Sequence, residues 1–177
     1  PEVLKAIASG GPAPSGLSDE ERLAYETLKV FSAKSVAYAL EMGLRPQTLY
    51  GIVDSPVGLA SWILDHDPRS LELISRSFDG VPEGLTRDDV LDNITLFWLT
   101  NTGISASRLY WEFPGLPFFD VKNVSIPVAV SVFPDEIEAV PRSWAERAYP
   151  KLIHYNKLDK GGHFAAWEQP QLFSEEV

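Results

Sequence analysis

The sequence contains no cysteine. Disulfides, thiolate nucleophiles and Cys-ligated metals are therefore excluded. Histidine is scarce too: His66, His154 and His163 are the whole supply, and their spacing fits no H-x-x-x-H pattern. A poly-His metal centre would have to use nearly all of them. No G-x-S-x-G nucleophile turn occurs. No run of about 18 apolar residues is present, and the longest apolar stretches, such as Ile126 to Val130, have strand length. The opening Pro1-Glu2-Val3-Leu4-Lys5 lacks an initiator Met and any signal-peptide pattern. That start reads as an interior cut in a longer protein.

What is present describes a folded chain. Its 177 residues and 19.6 kDa correspond to one domain's length. Hydrophobic residues make up 45% and charged residues 23%, which excludes a wholly disordered polymer. Lys and Arg number 15 against 25 Asp and Glu, a formal net charge of −10. So acidic a surface repels phosphate backbones, and nucleic acid is not an expected partner. Five Trp, six Tyr and nine Phe can furnish a core or an apolar pocket.

Along the chain there is no internal repeat. Gly10 to Ser18 is a Pro/Gly/Ser-rich loop. Ser18-Asp19-Glu20-Glu21 then has the form of a capping box, and the helix after it is expected to run to about Met42 and stop at Gly43. Its apolar seam is Ala24, Leu28, Phe31, Ser35, Tyr38 and Met42. Ser55-Pro56 opens a second helix, to about Asp65, and a shorter polar stretch lies around Leu71 to Phe78. Thr86 can cap a helix from Arg87 to Leu99, with Asp88 and Asp89 well placed in its first turn. Ser105 to Phe113 is helical up to the breaker Pro114-Gly115-Leu116-Pro117. Ile126 to Phe133 then reads as a buried parallel strand, Ser143 to Tyr149 as a short helix and Leu152 to Asn156 as a second strand. Phe164 to Trp167 begins a helical turn, and Gln171 to Val177 starts another helix. The order is that of a βαβα unit with a right-handed crossover.

In a parallel sheet, functional groups gather in the loops just past the carboxyl ends of the strands. The first such loop carries Asp135 and Glu136, and the second carries His163. Adjacent parallel strands would bring a carboxylate and the imidazole within hydrogen-bond reach. That is the acid–His half of a catalytic triad, in the acid-before-His order of α/β-hydrolases. The bland alternatives are a structural histidine and a solvated acidic loop. His66, at a helix end, suits a cap or surface role, and His154, inside a strand, should face a helix or solvent. Asn93-Ile94-Thr95 matches a glycosylation acceptor but lies mid-helix and is discounted.

Two stretches make the reading specific. Phe133-Pro134-Asp135-Glu136-Ile137, followed by Gly161-Gly162-His163-Phe164-Ala165-Ala166-Trp167-Glu168-Gln169-Pro170, resembles the C-terminal end of epoxide hydrolases of the microsomal type. Ser55 to Ile63 and Asp88 to Trp98 resemble that group's cap. The similarity runs from about Leu17 to the last residue. It implies an α/β class and a fragment of the α/β-hydrolase fold: a helical cap over residues 1–115, then the last two parallel strands and helices of the core over 116–177.

The resemblance also implies a mechanism. An aspartate opens an epoxide as a covalent ester, two tyrosines hold the epoxide oxygen, and a histidine steadied by an acid activates the water that releases a vicinal diol. His163 matches the base and Glu136 the charge-relay acid, with Asp135 as the neighbouring alternative. Tyr38 and Tyr110 match the oxygen donors, against the alternative of core aromatics. A phenol, with its ordinary pKa of about 10, stays protonated and can donate to a developing alkoxide. No metal or organic cofactor is implied. The turn bearing the nucleophile has no counterpart in this sequence, so the expected partners are an apolar epoxide, water and the N-terminal half of the same enzyme. A homodimer is left open, and the expected location is the cytoplasm. A dehalogenase, an ester hydrolase and a non-catalytic binding relative are the competing readings.

Overall fold

The computed structural model describes residues 2–65, 67–112 and 124–177. His66, Phe113 and the expected breaker at 114–117 lie outside the described residues. In chain order the helices before the sheet are α1 (Glu2–Ala8), α2 (Asp19–Lys34), α3 (Ala37–Leu44), α4 (Leu49–Ile52), α5 (Pro56–Leu64), α6 (Pro68–Phe78), α7 (Arg87–Leu99) and α8 (Arg108–Glu112). They are followed by β1 (Val128–Val132), α9 (Arg142–Ala148), β2 (Leu152–Lys157), α10 (Ala165–Glu168) and α11 (Pro170–Glu176). Single 3-10 turns precede α4 and α8. Among the described residues no helix is long and apolar enough to cross a membrane.

The chain divides into two compact units, Ser35–Pro117 and a second made of Pro1–Lys34 with Phe118–Val177. In the first, local signals set the helix starts. The Ser55 hydroxyl accepts the Gly58 N–H at 3.0 Å, and Thr86 forms a reciprocal capping box with Asp89. Asp67 Oδ1 accepts the Arg69 and Ser70 N–H groups at 2.9 and 3.0 Å, starting α6 at Pro68. The sequence reading starts that helix later, although Asp-Pro is the expected entry pair. Leu85, Val90 and Ile94 form the buried cluster, with Ala60, Leu64 and Ile74 packed around it. Burying side chains of this kind contributes roughly 1.5–3 kcal/mol each.

In the second unit, Ser18 and Glu21 form the expected capping box, with Ser18 N–H donating to Glu21 Oε2 at 3.0 Å and Glu21 N–H donating to Ser18 Oγ at 3.2 Å. Glu21 also reaches α9: Oε1 accepts Ser143 Oγ at 2.6 Å and Arg147 Nη2 at 3.1 Å. The Ser143 bond is the largest influence holding the Glu21 carboxyl below its ordinary pKa. Lys157 on β2 donates to Glu20 at 2.6 Å. These contacts tie α2 to the sheet, so the compact units part after Lys34 as well as after Pro117, close to the 115/116 boundary drawn from sequence.

The helix expected to run from Ser18 to Met42 is accordingly two, broken at Ser35 and Val36. The break falls where the chain passes from one unit to the other, so the seam that looks continuous in sequence serves two different cores. Gly43 does not end the second piece, since α3 continues to Leu44. A side chain there would meet the Tyr110 carbonyl at 3.3 Å, so its absence gives α8 room.

β1 and β2 are parallel, with Ala129 opposite His154, Ser131 opposite Asn156 and Val132 opposite Lys157. The strands are less buried than their β-branched sequence suggests: β1 is half-buried and Ile153 is 73% exposed. The described sheet has two strands, so each strand has a single neighbour to cover it. His154 faces a helix, as one of its two sequence readings had it. Its Nε2 lies 3.1 Å from Glu176 Oε2 on α11, which also accepts Ser131 Oγ at 2.6 Å, while Oε1 accepts Asn156 Nδ2 at 2.7 Å.

These bonds, Ser131's first, hold the Glu176 carboxyl at about 2, below the ordinary 4.5. A depressed folded-state value stabilises above the unfolded value and is lost as pH falls through the folded one. Protection of α11 amides from exchange should therefore be steady above pH 4.5 and decline toward pH 2. Glu176→Gln should lower α11 protection at neutral pH and flatten that decline. Parent α11 protection that is unchanged across this window would contradict the assignment.

Candidate active site

The ladder between the strands does not stop at their ends. Leu158 N–H donates to Val132 O at 2.9 Å, and Asp135 N–H donates to Gly161 O at 3.1 Å. Asp135 and Gly162 then form a parallel bridge beyond the named strands. From the paired Val132 and Lys157 to the bridged Asp135 and Gly162 the second loop runs longer than the first, which brings the residue after Asp135 level with the residue after Gly162. Those residues are Glu136 and His163.

Glu136 Oε1 lies 2.8 Å from His163 Nδ1. The same oxygen accepts the Ile137 N–H at 2.7 Å, so the carboxylate is aimed by its own backbone. An ionised carboxylate only accepts, so Nδ1 carries the hydrogen of this bond, and in the neutral imidazole the lone pair then belongs to Nε2. That is the tautomer a general base requires. The His163 ring also packs edge-on against Phe164, with centroids 5.0 Å apart and planes at 84°. Asp135, the alternative acid, has its backbone engaged in the bridge to the glycine loop.

Two glycines permit this approach. Gly161 has φ +106°, in the left-handed region, and a Cβ there would come within 2.8 Å of Phe133 Cδ1. At Gly162 a Cβ would meet Asp135 O at 3.1 Å. Larger residues would push the two loops apart.

Sequence reasoning missed Glu138. Burial raises its carboxyl above the ordinary 4.5; the Glu136 charge pushes the same way and His163 opposes. The nearness of Glu138 to the pair depends on how the loop after Asp135 turns, and no local motif announces it.

The two tyrosines lie in the Ser35–Pro117 unit, Tyr38 on α3 and Tyr110 on α8. Their rings meet edge to face, with centroids 5.8 Å apart and planes at 84°. Both are half-buried. Residues far apart in sequence thus share one place on the α3–α8 pair.

No family profile matches the chain. Curated proteins do. A Stigmatella aurantiaca protein named provisionally as an epoxide hydrolase is 44% identical over 163 residues, covering 91% of this chain and 36% of that protein. Epoxide hydrolase 1 of Oryctolagus cuniculus is 36% identical over 130 residues, covering 70% of this chain and 29% of the relative. Among solved structures, the juvenile hormone epoxide hydrolase of Bombyx mori superposes with a TM-score of 0.73 at 26% identity, covering 99% of this chain and 43% of that one. The chain spans about a third of the length of the curated relatives it matches. In sequence and in fold it is a relative of the epoxide hydrolases, built as a fragment of the α/β-hydrolase fold.

Proposed function

We propose that this chain supplies the water-activating part of an epoxide hydrolase that converts an apolar epoxide to a vicinal diol. The observation that carries the reading is the 2.8 Å contact of Glu136 and His163 at the carboxyl ends of adjacent parallel strands. Similarity to epoxide hydrolases supports the chemistry assigned to it.

In the proposed reaction, an aspartate supplied from outside these 177 residues attacks an epoxide carbon. The carbon–oxygen bond breaks, and a phenol of Tyr38 or Tyr110 gives the leaving oxygen its proton. The product is a hydroxyalkyl ester. His163 Nε2 then takes a proton from water, whose oxygen attacks the ester carbonyl. Glu136, bonded to Nδ1–H, stabilises the imidazolium that forms. Collapse of the adduct releases the diol and regenerates the carboxylate. Both protons of the water are used: the one on His163 passes to the departing alkoxide, and the one on the new carboxyl oxygen returns through water to the phenolate. An apolar epoxide is the proposed substrate because the aromatic supply of the chain suits one.

The first test compares the 177-residue chain with the same chain extended upstream to the length of its relatives, each given styrene oxide. Diol should form only with the extended chain. Turnover by the shorter one would refute the external nucleophile, and an inert extended chain would refute the activity.

Within the extended chain, His163→Gln should trap the ester. Intact-mass spectrometry should then find protein heavier by one epoxide, with turnover reduced by at least about 10²-fold. Loss of turnover without that adduct would count against the covalent route. Tyr38→Phe and Tyr110→Phe should each slow ring opening by about 10²-fold, on the order of 3 kcal/mol for one donor, with little change in substrate binding. Equal ring-opening rates in variant and parent would remove the tyrosines from the mechanism.

A further inference from the structure

A buried carboxylate underlies the His163 loop and takes no part in the chemistry above. Glu168, the last residue of α10, is only 4% exposed. Its Oε2 accepts the Gly162 N–H at 2.8 Å, and its Oε1 accepts the Phe164 N–H at 2.9 Å. Those peptide N–H groups flank His163 on either side. Glu168 N–H in turn donates to Phe164 O at 2.9 Å, closing the turn from below.

Burying a carboxylate is costly unless hydrogen bonds replace the water it loses. Here both oxygens are used, and on consecutive parts of one loop. Glu168 thus holds the Gly161–Gly162 peptide before His163 and the His163–Phe164 peptide directly after it, which restrains the backbone that carries the imidazole. The contact also reaches the acid's loop. A Cβ at Gly162 would meet Glu168 Oε2 at 3.2 Å and Asp135 O at 3.1 Å, so Glu168, Gly162 and Asp135 are packed together directly before Glu136.

We infer that Glu168 is a positioning residue: its carboxylate clamps the Gly162–Phe164 backbone and so keeps His163 bonded to Glu136. The inference rests on the reading of His163 as the base for ester hydrolysis. It assigns Glu168 to that step alone, because ring opening uses the nucleophile and the tyrosines. Glu168→Gln keeps the shape but offers one acceptor oxygen and turns an NH₂ donor toward a peptide N–H. Glu168→Ala leaves both N–H groups without the carboxylate.

The test is single-turnover kinetics with styrene oxide in the extended chain, following ester formation and ester decay by quenched-flow mass spectrometry. Ester formation should stay within about twofold of the parent rate. Ester decay should slow about 10- to 100-fold in Glu168→Gln, the range that follows from a misplaced reacting group. Glu168→Ala should slow it further. Amide exchange should report lost protection at Gly162 and Phe164 in Glu168→Gln, which covers the case in which Glu168→Ala fails to fold. Ester decay at the parent rate in Glu168→Gln would overturn the proposal while leaving the base reading intact. So would ester formation and decay falling in equal proportion, since that reports general loss of folded protein. A parent that forms no ester would overturn the base reading and the positioning role with it.

Discussion

The continuation of the parallel ladder past the ends of β1 and β2 is the constraint on which the rest of the site depends. Asp135 N–H to Gly161 O at 3.1 Å is an ordinary backbone bond, yet it decides which side chains become neighbours. The Glu136–His163 contact cannot itself hold the loops together. Its side chains are 31% and 39% exposed, and even a fully charged pair that open contributes about 0–1 kcal/mol. The backbone bridge and the close packing at Gly161 and Gly162 hold the loops, and the acid–imidazole bond is their consequence. A site built this way is set before substrate arrives, as general base chemistry requires.

Acidic side chains perform much of the fixing in this chain, which puts the formal charge of −10 in another light. Glu21 joins the start of α2 to α9, Glu176 joins α11 to both strands and Asp89 closes the cap of α7. Each accepts from hydroxyl, amide or peptide N–H groups, bonds that are stronger for a charged acceptor than for a neutral one. The same economy serves Glu136, which accepts from its own neighbour's N–H as well as from the imidazole. Acidity here is internal wiring as much as a surface property.

Much of the candidate site could be read from the sequence because its signals are short. The acid two residues after Phe-Pro, the Gly-Gly-His loop and the strand preceding each are contiguous strings, and Glu136 and His163 stand 27 residues apart at matching strand ends. Glu138 was not legible, because its perturbation comes from burial and from the company of Glu136 and His163. The continuous helix expected from Ser18 to Met42 failed for a related reason. Steps of three and four along a seam report which residues share a face but not which core receives it, and this seam changes cores at Lys34.

By itself, the sequence determined several elements and where they begin: the capping box at Ser18, the Thr86 cap of α7, the Pro56 start of α5 and the parallel strands with their loops. Each rests on interactions within about four residues, where local chemistry is decisive. Only the tertiary structure decided that α2 belongs with the sheet, that the strands stay half-exposed and that Tyr38 meets Tyr110. It also decided that the longer second loop brings His163 level with Glu136. Those outcomes depend on register and packing between segments far apart in the chain, and no window of neighbouring residues contains both partners.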